Sequence, residues 1–224
     1  MPEISVIVCA RNEEGFLTEC LSSLRAQTLK PEIIVVDGHS IDKTVTIAKK
    51  FADKVVLDNK KGLGDARNIG VKVAKGEIIA FCDADCRPKS DWTMNIKRLL
   101  LDSIAVSGPV VPYDGGLWLK LNVKIWGGIV PRIFSFFGVK SLWGANMAYK
   151  REILMKTPFR LRFLEDFDML MRLSKIGKIR FSNSMAMPAS TRRFKNGFYR
   201  IILKYYIPDG VNIILGRPTG KGYY

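Results

Sequence analysis

Histidine is almost missing from this chain: His39 is the single one in 224 residues. Cysteine is sparse, limited to Cys9, Cys20, Cys82 and Cys86 with no CxxC pair. The spacing of Cys82 and Cys86 and the lack of histidines argue against a zinc site. Cys9 and Cys82 sit in apolar runs, where a free thiol acts as a small hydrophobe. With no secretory leader in view, a reduced, cytoplasmic compartment is the expectation. No stretch reaches the ~18 uncharged apolar residues of a membrane span, so the chain is expected to be soluble or peripheral. Acids are outnumbered, 21 against 36 Lys and Arg, for a net charge of +15. Such a surplus suits nucleotide phosphates, nucleic acid or an anionic membrane, or is simply a solvated basic surface. Internal repeats and low-complexity linkers are absent as well. The length and an apolar fraction of 47% instead indicate one large domain with a real core.

The first half alternates short apolar runs with helical stripes. Strands are expected at Ile4–Ala10, Glu32–Gly38, Lys54–Leu57 and Glu77–Cys82. Helices are expected over Phe16–Gln27, Ile41–Phe51 and Gly64–Ala74. This alternation predicts right-handed βαβ units and an α/β fold with a mainly parallel sheet, helices on both faces. The second half is less regular. A strand ends at Ser107–Pro112, another runs from Leu142 to Lys150, and a helix opened by two acids covers Leu164–Lys175. The tail from Phe194 to Ile207 carries apolar residues at helical spacing. The expected organisation is a domain over residues 1–192 and an amphipathic helix with tail over residues 193–224, packed on the domain or on a membrane surface.

The most informative stretch is Cys82-Asp83-Ala84-Asp85-Cys86. Two carboxylates one residue apart at the end of a buried strand can turn toward a hard divalent cation, which takes oxygen ligands and completes its shell with phosphate and water. In parallel α/β sheets, ligands bind beyond the carboxyl ends of the strands. Asp37, Asp83 and Asp85 all fall at such ends, and Arg11-Asn12-Glu13 follows another. These clusters aim at one crevice.

Several blocks together resemble a family 2 glycosyltransferase with the GT-A fold, over about residues 4 to 195. They are Ile4–Glu13, Glu32–Gly38, Gly64–Gly70, Asp83-Ala84-Asp85, Gly144-Ala145-Asn146, and Glu165-Asp166-Phe167-Asp168 with Arg172. The resemblance implies that Asp37 accepts a hydrogen bond from a nucleotide base; read alone, it would cap the next helix. It implies that Ala10, Arg11 and Glu13 line the nucleoside pocket, and that Gly64, Ala84, Gly144 and Asn146 border the donor. Arg67 would approach the phosphates; by itself it reads as a solvated helix arginine. Asp83 and Asp85 would hold Mg2+ or Mn2+. Asp166 would be the general base, with Glu165 helping to orient the acceptor. The residues alone allow a plainer reading, since acids favour a helix N-terminus and Asp168 with Arg172 at i,i+4 forms a routine pair. Arg192 and Arg193 would close over the diphosphate or lie on a solvated face. The family's late histidine ligand is missing here, which leaves that place to water or the diphosphate.

The activity so implied is inverting transfer of a sugar from a nucleotide-diphospho-sugar to an acceptor hydroxyl or phosphate. The acceptor is lipid-linked or a saccharide. Trp118, Trp126, Phe134, Phe136 and Phe137 lie among lysines and arginines. They read as a core-covering insertion or as an interfacial segment at the inner face of the cell membrane. A nucleotidyltransferase is the first alternative, but Ala10–Gly15 is not a Gly-rich phosphate loop with a lysine. A basic nucleic-acid-binding protein is the second. No nucleic-acid motif is present, so nucleic acid is not an expected partner.

Overall fold

The computed structural model describes residues 1–125, 129, 144–160 and 164–192. The centre is a seven-stranded sheet ordered β3-β2-β1-β4-β7-β5-β8. Its strands are β1 (Ile4–Ala10), β2 (Glu32–Asp37), β3 (Lys54–Leu57), β4 (Ile78–Cys82), β5 (Ala105–Ser107), β7 (Asn146–Lys150) and β8 (Ile179–Phe181). The first four are mutually parallel. β7 runs antiparallel between β4 and β5, so the second half departs from the βαβ pattern. The remaining strands, β6 (Val110–Pro112) and β9 (Met187–Ala189), form a separate parallel pair. The sequence run Ser107–Pro112 is therefore split between two sheets. Pro109 cannot donate to a ladder, and the chain changes sheets there.

Both faces of the sheet are covered, as parallel strands require. Side chains alternate along each strand. Val6 and Val8 on β1 join Leu17, Leu21 and Leu24 of α1 (Leu17–Arg25) and Trp92 and Ile96 of α4 (Trp92–Leu99). Ile7 and Ile34 point the other way. They join Phe81, Tyr149, Phe159 and the buried face of α7 (Glu165–Leu173). The helices α2 (Thr44–Phe51), α3 (Leu63–Val73), α5 (Leu117–Lys124) and α6 (Arg151–Lys156) complete the described set.

The helix expected from Ile41 begins only at Thr44, and Ile41 stands exposed. The intervening turn is held by side chains: Asn12 Oδ1 accepts from Ile41 N at 2.9 Å, and Asp42 Oδ1 from Thr44 N at 2.9 Å. Such local bonds compete with helix formation. The expected strand from Leu142 starts at Asn146, with residues 142–143 outside the described set. No described helix is long and apolar enough to cross a membrane. The expected tail helix, Arg193, Trp126 and the Phe134–Phe137 cluster lie outside the described residues.

Candidate active site

Parallel pairing of β2, β1 and β4 brings their carboxyl ends to one edge. The loop after β1 is built tightly. Asn12 takes a left-handed φ of 54°, its N–H donates to Ser40 Oγ at 2.9 Å, and Glu13 N–H donates to Thr44 Oγ1 at 2.7 Å. Ala10 is buried at the strand end, and its carbonyl accepts from Gly38 N–H at 2.8 Å. Arg11 is exposed beneath Gly38.

Asp37 is buried at the end of β2. Its Oδ2 accepts from Ser40 N–H at 3.0 Å, forming a turn ahead of α2 and not capping the helix itself. Its Oδ1 is buried and has no hydrogen-bond partner among the described residues. A buried carboxylate oxygen left without a donor is costly, so this atom calls for a donor beyond the described residues.

The turn after β4 presents Asp83, Ala84 and Asp85, with Asp85 almost wholly buried. The late segment laces onto it: Ser190 N–H donates to the Asp85 carbonyl at 3.1 Å, and Arg87 N–H to the Pro188 carbonyl at 2.8 Å. This brings Arg192 onto the site. Its Nε donates to Asp85 Oδ2 at 3.0 Å and its Nη2 to the Glu13 carboxylate at 2.5 Å. The guanidinium also lies 4.3 Å from the Phe16 ring centroid. Burial works against the Arg192 charge, but the bonds to Glu13 and Asp85 overcome it and raise its pKa.

The head of α7 supplies the other acids. Asp166 Oδ2 accepts from Gly144 N–H at 2.8 Å, and its Oδ1 accepts from Phe167 N–H at 2.8 Å. Burial raises the Asp166 pKa against the opposing pull of Arg67. Glu165 is buried beside it and ion-paired with Arg67. Burial pushes its carboxyl up to about 7, the nearby Arg67 working in the opposite direction. Asp168 and Arg172 form the i,i+4 pair at 2.7 Å.

Two residues expected near the donor have their side chains turned inward. Arg67 is not a solvated helix arginine. It is 2% exposed, with its donors on Glu165 and on the Gly144 carbonyl at 3.0 Å. Asn146 has its side chain inside the protein. It is fully buried, accepting from Trp92 Nε1 at 2.9 Å and donating to the Met185 carbonyl at 2.6 Å. Its amide ties β7 to α4 because a buried amide must find partners. Gly64 lies buried in the first turn of α3.

Sequence reasoning missed Asp114 and Phe16. Asp114 accepts from Ser190 Oγ at 2.6 Å, Thr191 N–H at 2.7 Å and Thr191 Oγ1 at 2.8 Å, and so clamps the segment after β9 that carries Arg192. The Asp114-Gly115-Gly116 turn was the available signal.

The donor set at Asp83 and Asp85 is all oxygen, which fits a hard cation in kind. Burial pushes the neighbouring Cys9 thiol up to about 12, and the hydrogen bond with Cys20 together with burial raises Cys82 well above its ordinary value. A thiol is in any case a soft ligand, and a hard cation prefers carboxylate oxygen. Among the described residues no group of three or more His, Cys, Asp or Glu is arranged to hold a metal. A cation here would take two carboxylates from the chain and the rest of its shell from donor and water.

Known proteins show the same framework. Over 97 residues the chain is 40% identical to the putative glycosyltransferase EpsH of Bacillus subtilis, covering 41% of this chain and 27% of that protein. The chain thus spans about a quarter of that relative's length. It is 26% identical over 250 residues to the dolichyl N-acetyl-alpha-D-glucosaminyl phosphate 3-beta-D-2,3-diacetamido-2,3-dideoxy-beta-D-glucuronosyltransferase of Methanococcus voltae, covering 99% of this chain and 75% of that one. The mannosyltransferase PcManGT of Pyrobaculum calidifontis, in complex with GDP-Man and Mn2+, superposes with a TM-score of 0.74 at 22% identity, covering 98% of this chain and 66% of that one. That likeness shows the GT-A fold. The model of glycosyl transferase family 2 matches residues 5–157, most of the chain, and the chain belongs to that family.

Proposed function

We propose that this chain is a metal-assisted, inverting glycosyltransferase acting on a nucleotide-diphospho-sugar. The observation that carries this reading is one edge of one sheet. There Asp37 offers a buried carboxylate oxygen with no partner among the described residues, Asp83 and Asp85 offer oxygen ligands, and Asp166 stands at the head of α7. Asp37 Oδ1 accepts an N–H of the nucleotide base, and Ala10, Arg11 and Glu13 wall the nucleoside. Asp83 and Asp85 would hold Mg2+ or Mn2+, which when bound would neutralise charge on the departing diphosphate. Arg192, beside Asp85, adds a guanidinium for the phosphate oxygens.

Asp166 takes the proton from an acceptor hydroxyl as that oxygen attacks the anomeric carbon. The bond from that carbon to the diphosphate oxygen breaks in the same displacement, and the configuration inverts. The raised pKa of Asp166 suits a base, which works best when matched to the operating pH. Glu165 is buried and ion-paired with Arg67, so it shapes the head of the helix beside Asp166.

A lipid-linked acceptor at a membrane surface is the favoured reading for the second substrate. Leu117, Trp118 and Leu121 stand exposed on α5, next to Lys120 and Lys124. An apolar stripe flanked by lysines suits an anionic interface. The Methanococcus relative, whose name gives a dolichyl-linked acceptor, is consistent with it. Screening uridine and guanosine diphosphate sugars for thermal stabilisation and hydrolysis, with Mn2+, with Mg2+ and with chelator, tests the donor reading. No stabilisation by any nucleotide sugar with either metal would remove it.

A further inference from the structure

We propose that Arg67 is a positioning residue for Asp166, holding it through Gly144, and that it does not contact the donor phosphates. This inference rests on Asp166 being the base.

The geometry is a relay across one glycine. Arg67 Nη2 donates to the Gly144 carbonyl at 3.0 Å, and Gly144 N–H donates to Asp166 Oδ2 at 2.8 Å. The other terminal nitrogen of Arg67 is ion-paired with Glu165, the residue before Asp166. One guanidinium thus holds the acid pair from two sides, through a side chain and through a backbone carbonyl. Its planar fork makes this possible, since its donors diverge at fixed angles.

The guanidinium cannot swing out easily. It lies 5.4 Å from the Phe81 ring centroid and 5.6 Å from that of Phe159. Phe159 is itself locked to α3: Asn68 Nδ2 donates to its carbonyl at 2.8 Å, and its N–H donates to Asn68 Oδ1 at 3.0 Å. Gly144 leaves room at the junction for both side chains. A Cβ there would meet Arg67 Nη2 at 2.8 Å and Asp166 Oδ2 at 3.2 Å.

Charge supports the same role. Burial works against the Arg67 cation, but Glu165 and Asp83 overcome it, so its pKa lies above the ordinary arginine value. The groups around this junction are Arg67 from α3, Glu165 and Arg172 from α7, Asp83 after β4, Cys9 on β1 and Tyr149 on β7. Arg67 is the cation that opposes the burial-driven rise of the Asp166 pKa. Removing it should lift that pKa further and move the acid limb of the rate profile to higher pH.

Arg67→Lys and Arg67→Gln, with Gly144→Ala as a route to the same junction from the other side, decide the matter. Folding is checked by circular dichroism. UDP and GDP binding with Mn2+ is measured by calorimetry, and turnover as nucleoside diphosphate release from UDP-N-acetylglucosamine and GDP-mannose. Expected for all three variants is diphosphate affinity within about twofold of wild type and kcat lower by ~10–100-fold, part of the usual worth of a placed base. Arg67→Gln should also move the acid limb upward, while Arg67→Lys, keeping the charge, should leave it near wild type. Diphosphate affinity lost tenfold or more in folded Arg67→Lys, with kcat intact, would overturn the proposal and return Arg67 to the phosphates. Asp166→Asn, run alongside, tests the base separately: turnover within tenfold of wild type removes the base and the relay with it. A large loss there combined with lost diphosphate affinity in Arg67→Lys overturns the relay alone.

Discussion

Arg192 donates to Asp85 at 3.0 Å although 107 positions separate them in the chain. The same guanidinium reaches Glu13, so one cation links the loops after β1 and β4 to the segment after β9. Replacing it by glutamine leaves two largely buried carboxylates without their shared partner. Charge-assisted bonds of this kind are worth ~1.5–3 kcal/mol each, discounted here because Arg192 keeps part of its surface in water. Arg192→Gln should lower the midpoint of thermal unfolding by a few degrees and weaken UDP–Mn2+ or GDP–Mn2+ binding. An unchanged melt together with unchanged affinity would show that the bridge does neither job.

Asp83→Asn and Asp85→Asn should each cut metal-dependent diphosphate affinity by tenfold or more, about 1.4 kcal/mol. An amide keeps the shape but removes the negative charge a hard cation needs. Calorimetry of UDP and GDP with and without Mn2+ reads this directly, with the melt as a control for folding. Metal-dependent affinity preserved in both variants would move the cation elsewhere.

Asp166→Asn should bind donor normally and lose turnover by ~10²–10⁴-fold. In the wild type the Asp166 pKa is raised, and the base works only when ionised. Turnover should therefore fall as pH drops through a value above that of an ordinary aspartate. A rate profile flat to the ordinary aspartate range would argue that another group takes the proton.

Gly70→Ala should be costly for a plain packing reason. A Cβ there would meet Ile7 Cγ2 at 2.6 Å, where α3 lies on β1. Overpacking a close-packed core typically costs ~1–3 kcal/mol. A melting temperature equal to wild type would mean that the helix can lift off the sheet without penalty.

Leu117, Trp118 and Leu121 predict binding to vesicles that carry anionic lipid, weaker at high salt as surface charge is screened. Co-sedimentation should fall in Trp118→Ala. No binding at low salt by folded protein would remove the lipid-linked acceptor and leave the donor site untouched.

Local pattern alone was enough for the parallel half. The apolar runs at Ile4–Ala10 and Glu32–Asp37, with a helix after each, admit few arrangements, because a crossover helix sets the strands parallel and its hand is fixed. That topology in turn put Asp37, Asp83 and Asp85 at one edge, as their positions at strand ends implied. What pattern could not show was any partner distant in the chain. Arg67 has the spacing of an ordinary surface arginine, yet three-dimensional packing buries it on Glu165 and Gly144. Asn146 looks like a site residue beside Gly144, yet β7 inserts antiparallel beside β4 and turns its amide onto Trp92. Arg192 reaches Asp85 only because β9 pairs with β6 and Asp114 clamps the strand end. The sequence by itself determined the elements and the edge where chemistry gathers, since both follow from short-range periodicity and chain chirality. The tertiary structure alone decided which charges meet there, since burial and long-range pairing set where each side chain finds its partner.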